Sequence, residues 1–337
     1  MAGPREPHPR PHVTTVDATA YLSPYGPVAV RRPINLRLTE HTYPLEPSID
    51  QSWLPIAFRA FERLGRRRAF EHVLIVGTGN GLDALGAVEI LRPRSLTVTD
   101  LHEDSLAVSR ENVTAHLAGA GSIVLDFHAG DLMSCVPAGR SFSFVYENLP
   151  NVTSSPDHDL RRGTIAGRFY PPTESAVPER YARYMLDLHY CLLQQARPRL
   201  TSGGGVLTAI GGRMPDEVIF DLHRACGLRP ELVAFDLKLQ AEPQLMVPPY
   251  RRAESERGSA FRFYAAEAIA TVAELRAGGL DGQPLADAAA PELERLSMSA
   301  GEAAARVERG LPVAHSVLMI FGEREPDDQF SPPPGDG

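Results

Sequence analysis

Apolar positions in this chain fall into two kinds of segment that take turns along it. Short runs rich in Val, Ile, Leu and Phe occur at 73–76, 96–99, 123–127, 142–146, 205–210, 232–238 and 313–321. Continuous runs of that length predict strands buried on both faces. Between them, segments 82–90, 103–116, 179–196 and 216–226 carry apolar residues at helical spacing and predict helices. Upstream, Asp50 is the expected cap of a helix through Ala69, with Trp53, Ile56, Ala57, Phe61 and Leu64 on one face, which reads Trp53 as core. The alternation predicts an α/β fold, a doubly wound, mostly parallel seven-stranded sheet.

The flanking segments have a different texture. Residues 1–12 are a Pro/Arg/His arm expected to be disordered. Residues 13–70 combine a cover containing Tyr21, Tyr25 and Tyr43 with the helix just described, and 71–325 form the main domain. Within it, 265–310 is an Ala/Glu/Leu-rich helical insert broken at 278–282, suited to a lid or a dimer contact. A loose tail follows from 326 to 337.

Composition narrows the function classes. A net charge of -8 and a pI near 5.8 give no support to a nucleic-acid groove, and Arg66-Arg67-Arg68 reads as a solvated helix end. The three cysteines, Cys135, Cys191 and Cys226, are too far apart for a metal motif and suit a reducing cytoplasm. No run of about 18 apolar residues is present, so a soluble cytoplasmic protein with no membrane partner is expected.

The chemistry starts at His72-Val73-Leu74-Ile75-Val76-Gly77-Thr78-Gly79-Asn80-Gly81, an apolar strand entering a glycine turn. Such a turn sets bare backbone against a ligand, and Asp100, closing the next strand, has the acceptor capacity for two ribose hydroxyls. A dinucleotide fingerprint needs Gly-x-Gly-x-x-Gly, whereas these glycines recur every second residue and Leu82 stands where the third would fall.

The GxGxG spacing resembles the first motif of class I S-adenosylmethionine (SAM)-dependent methyltransferases, and the resemblance runs from His72 to about Tyr264. It implies SAM as cofactor, with S-adenosylhomocysteine as product, held by Gly77, Thr78, Gly79, Asn80 and Gly81. Asp100 and Leu101 would take the ribose side, and Gly130, Asp131 and Leu132 the adenine. Phe144-Val145-Tyr146-Glu147-Asn148-Leu149-Pro150-Asn151 ends the fourth strand, where the glutamine and nucleobase N-methyltransferase-like branch carries Asn-Pro-Pro-Tyr. The sequence departs twice. Ile75 stands where an acid often precedes the first glycine, so contact with the methionine amino group must come from elsewhere, and Glu147-Asn148-Leu149-Pro150 replaces the fourth motif.

Glu147 is therefore the expected catalytic acid, orienting a nitrogen nucleophile and answering its developing charge. A carboxylate there suits a guanidinium, so a small amine or arginine-like metabolite is the expected acceptor. Asn148, Arg168, Tyr170 and Glu174 complete the substrate set. Glu179 is an alternative second acid, Asp157 and Asp159 weaker ones, and the long connection 147–178 reads as either a substrate lid or plain surface packing. His189 and Tyr190 read as satisfied helix residues and Tyr146 as pointing opposite Glu147. An O- or carboxylate methyltransferase of natural-product metabolism, with Arg168 or Arg213 on an acidic substrate, and a non-catalytic homodimeric interaction protein are the alternatives.

Overall fold

The computed structural model describes residues 14–39, 42, 45–46, 48–119, 123–151 and 177–325. Its strands are β1 (Thr14–Asp17), β2 (Asn35–Leu38), β3 (His72–Val76), β4 (Ser95–Asp100), β5 (Val124–Ala129), β6 (Phe142–Glu147), β7 (Leu200–Gly212), β8 (Leu228–Leu239), β9 (Phe263–Ala265), β10 (Ser297–Met298) and β11 (Val313–Arg324). Its helices are α1 (Thr19–Leu22), α2 (Leu54–Arg67), α3 (Leu82–Leu91), α4 (Glu103–His116), α5 (Glu179–Ala182), α6 (Asp187–Ala196), α7 (Asp216–Ala225), α8 (Pro243–Arg257), α9 (Ala268–Ala277), α10 (Gln283–Arg295) and α11 (Ala300–Glu308).

The main sheet runs β10-β9-β11-β7-β6-β3-β4-β5, with β8 on the other side of β11. The strands β3 to β7 pair in parallel, while β11 lies antiparallel between β7 and β8. This is the doubly wound, mostly parallel α/β sheet that was expected, corrected in one respect: the sheet has nine strands, not seven. The extra two, β9 and β10, are three and two residues long, too short to leave a period in the sequence. They extend the edge of β11 past the end of β7, pairing Val313 with Ala265 where β7 finishes at Gly212 opposite Ser316.

Period-two alternation splits the core between the two faces of this sheet. Val73, Ile75, Phe144, Tyr146, Val317 and Met319 pack with α2, α3 and α4, while Leu74, Val76, Val145, Leu318 and Ile320 pack with α6, α7 and α10. On the first face the ring of Phe61 meets that of Tyr146 edge-on at 5.0 Å. Arg59 fastens α2 to β8, donating to the Phe235 carbonyl and to Asp236 and Asp281.

Several expected boundaries move. The helix expected from Asp50 begins at Leu54, because Pro55 needs the first turn, and Asp50 lies in a short 3-10 turn before it. The single helix expected over 179–196 is two, separated at Met185, whose φ of 63° takes the chain out of helical space. Helix α8 was not expected, since Pro248 and Pro249 interrupt its pattern. The insert breaks at 278–282 as read, and its helices are not detached: α9 and α10 pack on β8, and α11 packs on α8.

The N-terminal segment lies against α3 and α4. Buried Glu89 of α3 accepts the backbone N–H groups of Val28, Ala29 and Val30 at 2.6–2.9 Å. Asn112 of α4 exchanges two 2.9 Å bonds with the backbone of Arg37.

Candidate functional site

At the carboxyl ends of the parallel strands, where α/β sheets bind ligands, one cavity of about 300 Å³ opens. The glycine turn after β3 forms its floor, and the amides of Gly77 and Thr78 both donate to the Thr99 carbonyl. Gly77 sits at φ 69°, and a methyl group on it would fall 3.2 Å from Leu149 Cδ2, so glycine alone keeps that surface open. Gly81 does different work. It does not line the cavity; a side chain there would strike Ser109 of α4, so its bareness lets α3 and α4 close up.

Asp100 reaches the cavity from the end of β4, accepting the amides of Gly79 at 2.8 Å and His102 at 3.0 Å. Burial raises its pKa, and these two amides work against the shift. Leu101, Gly130 and Leu132 also line this end, but Asp131 is exposed and is not part of the wall. Of the three residues expected on the adenine side, only Gly130 and Leu132 reach the wall, where they offer backbone and apolar surface.

A second carboxylate at this end was not expected. Asp83, in the first turn of α3, lines the cavity and accepts the Thr78 hydroxyl at 2.6 Å and the Ala84 amide at 2.7 Å through one oxygen. Burial, and the charge of Asp100, push its pKa up to about 7, and hydrogen bonds oppose the rise. The signal was present in the sequence: α3 buries two carboxylates, Asp83 and Glu89, in an otherwise apolar helix, and buried acids need partners.

Glu147 departs from expectation. It is completely buried and absent from the cavity wall, accepting the Leu149 amide and meeting His189 Nδ1, each at 2.8 Å. Strand alternation explains this: Tyr146 faces α2 and Glu147 the opposite face, under α6. His189 in turn meets Asn151 Oδ1 at 3.2 Å, leaving the buried Asn151 Nδ2 without a partner among the described residues. The residues after β6 that line the cavity are Asn148, Leu149, Pro150 and Asn151. Glu147 and His189 hold that loop from behind. Arg168, Tyr170, Glu174, Asp157 and Asp159 lie outside the described residues.

The opposite end of the cavity is made by residues far apart in sequence. Arg213 follows β7, Lys238 lies at the end of β8 and Gln240 just beyond it, His315 lies near the start of β11, and Tyr250 comes from α8. Arg213 donates through Nε and Nη2 to Gln240 Oε1 at 2.9 and 2.7 Å and lies 5.3 Å from the Tyr250 ring centre. Lys238 stands 5.5 Å from the centre of the Trp53 ring and 3.7 Å from Glu46. Burial draws the Lys238 pKa down to about 8, with Glu46 opposing. Burial, then Arg213 and Lys238, also hold His315 well below its usual range. Trp53, read as core, serves both roles, its ring packing beside α2 and forming wall.

Among the described residues no cluster of three His, Cys, Asp or Glu side chains is placed to hold a metal, and no helix is long and apolar enough to cross a membrane.

No family model matches the chain. Over 210 residues it is 29% identical to the release factor glutamine methyltransferase of Deinococcus radiodurans, an alignment covering 58% of this chain and 66% of that protein, just under two thirds of its length. Among solved structures it is similar to a methyltransferase from Pyrococcus furiosus, at 15% identity and a TM-score of 0.31 over 53% of this chain and 75% of the other. It is also similar to the ribosomal protein L11 methylase of Lactobacillus delbrueckii subsp. bulgaricus, at 15% identity and a TM-score of 0.37 over 58% and 85% of the two chains.

Proposed function

We propose that this chain is a SAM-dependent methyltransferase acting on a small molecule held in the same cavity as the cofactor. The observation that carries the reading is the continuity of one cavity from the Gly77–Asn80 turn and Asp100 to a separate polar wall beyond β7 and β8. That arrangement has a place for two ligands side by side.

The residues suit SAM chemically. Bare backbone at Gly77 and Gly79 admits close approach, Asp100 has acceptor capacity left for a ribose diol, and Leu101 and Leu132 offer apolar surface to a ring. Asp83 supplies a carboxylate that Ile75 does not, close to the glycine turn, where it answers the positive charge of an aminoalkyl sulfonium. Bound SAM supplies an electrophilic methyl group, so the protein's task is to hold an acceptor atom in line with it and to exclude water. Asn148 and Asn151 present side-chain amides between the two ends, braced by Glu147 and His189.

The guanidinium acceptor anticipated from Glu147 is not favoured. That carboxylate is engaged behind the wall, and the far end presents Arg213 and Lys238 to whatever binds there. Calorimetric titration with SAM tests the reading. Saturable binding that weakens about tenfold or more in Asp100→Asn is expected, since an amide cannot replace both acceptor oxygens; failure of the parent protein to bind SAM would sink it.

A further inference from the structure

Arg213 is buried, yet no carboxylate pairs with it among the described residues. Its protein partner is the neutral amide oxygen of Gln240, which takes Nε and one Nη2 hydrogen. A guanidinium carries five N–H donors in a planar fork. The end formed by Nη1 and the second Nη2 hydrogen is left over, and it fits a carboxylate end-on, each terminal nitrogen donating to one oxygen. A buried charge without a counter-ion is costly, so a site that keeps one has an anion as its natural occupant.

Glycine at position 211 makes room for the guanidinium itself at the cavity wall. Gly211 lines the cavity, and a methyl group built on it would fall 2.3 Å from Arg213 Nη1 and 3.6 Å from His315 Cε1. The bare backbone thus lets Nη1 lie against Gly211, and any side chain there would displace the fork. Lys238 adds a second positive charge to the same wall, answered at 3.7 Å by Glu46, while Glu242 sits exposed at the rim. Trp53 and Tyr250 set aromatic surface beside the two cations.

We propose that this end of the cavity is an anion subsite in which Arg213 and Lys238 hold the carboxylate of the methyl acceptor, an aromatic or otherwise planar acid. The subsite stands on the geometry of Arg213, Gly211 and Lys238; assigning its anion to the acceptor rests on the methyltransferase reading. A carboxylate could also come from the amino-acid end of SAM. The acceptor is preferred because β6 separates β7, which places Arg213, from β3 and its glycine turn, and because Asp83 already puts the charge-binding group for the cofactor at that turn.

The test uses the whole chain saturated with S-adenosylhomocysteine and probed with benzoate and its neutral counterpart benzamide, followed by ligand-detected NMR. Benzoate should bind alongside the nucleoside and benzamide should bind at least tenfold more weakly. Arg213→Met should cost benzoate tenfold or more and leave S-adenosylhomocysteine affinity within about twofold. Gly211→Ala, which crowds Nη1 and keeps every charge, should weaken benzoate in the same direction and serves if Arg213→Met does not fold. Equal binding of the two probes, or no binding of benzoate, overturns the subsite. Loss of S-adenosylhomocysteine affinity in Arg213→Met overturns the assignment to the acceptor, since the anion would then be the cofactor's own. If the parent binds no S-adenosylhomocysteine, the methyltransferase reading fails separately, and benzoate against benzamide on the protein alone still decides the subsite.

Discussion

The two ends of the cavity are built in opposite ways. The end at β3 and β4 draws most of its wall from residues 76–80, Asp83 and 99–102, a strand end, a turn and a helix start followed by one more strand end, with Gly130 and Leu132 beside them. The other end gathers Trp53, Arg213, Lys238, Tyr250 and His315 from four strands and helices and the turn before α2. A ligand held by backbone needs consecutive residues in special conformations, which leaves a mark in the sequence. A ligand held by converging side chains needs only that strands β7, β8 and β11 be neighbours, which leaves none.

The largest effects should separate these ends. Asp100→Asn is expected to weaken SAM by about tenfold to a hundredfold, through unmatched buried hydrogen bonds, while benzoate binding changes little. Arg213→Met should do the reverse. Calorimetry of both ligands on both variants measures the crossover, and a variant that loses both ligands equally would erase the distinction.

Glu147 belongs to neither end. Replacing it by Gln removes the charge that faces His189 while keeping an acceptor for the Leu149 amide, so folding stability should fall by roughly 1–3 kcal/mol. Chemical denaturation measures this, and SAM affinity within about threefold of the parent would mark Glu147 as a brace for the wall. Undiminished stability with turnover lost would instead restore it to the chemistry.

Asp83 predicts the opposite sign. Its folded-state pKa, near 7, lies above the ordinary 3.8, so between those values the folded protein binds more protons and stability falls as pH rises. Asp83→Asn, whose amide oxygen still accepts the Thr78 hydroxyl, should therefore gain on the parent from pH 4 to pH 7 and hold its advantage above, by at most about 4 kcal/mol. Melting curves across that range read it out, alongside weaker SAM binding. An advantage that shrinks with pH would contradict the buried-anion assignment.

The smallest effect concerns Lys238. With a pKa near 8, it sheds its proton between pH 7 and 9, and benzoate affinity should decline by about threefold across that interval. Lys238→Met should flatten the slope. A slope that survives the substitution would move the titrating group elsewhere.

Much of the first end was readable beforehand. Strand, turn, helix and terminal acid appear where Val76, Gly77, Leu82 and Asp100 place them, because apolar runs and glycines report backbone geometry directly. Asp131 was read from its neighbours, and the chain turns it outward while Gly130 and Leu132 face in. Glu147 was misplaced because a strand end leaves open which face the last side chain takes, and only the packing of Tyr146 on Phe61 decides it. Arg213 was named solely as a candidate for acidic substrates, and Lys238, Tyr250 and His315 were not named as site residues. Nothing local distinguishes a lysine at the end of one strand from any other until the partner strands are known.

The three amides captured by Glu89 have a consequence for how the chain breathes. Val28, Ala29 and Val30 lie outside regular structure, and Val28 is 58% exposed, yet their N–H groups all end on a carboxylate buried in α3. Deuterium should therefore enter these positions together, at a rate set by the release of that carboxylate and not by contact with solvent. A surface segment would then carry the exchange signature of the core beneath it, and the opening of the cover would be timed by one side chain.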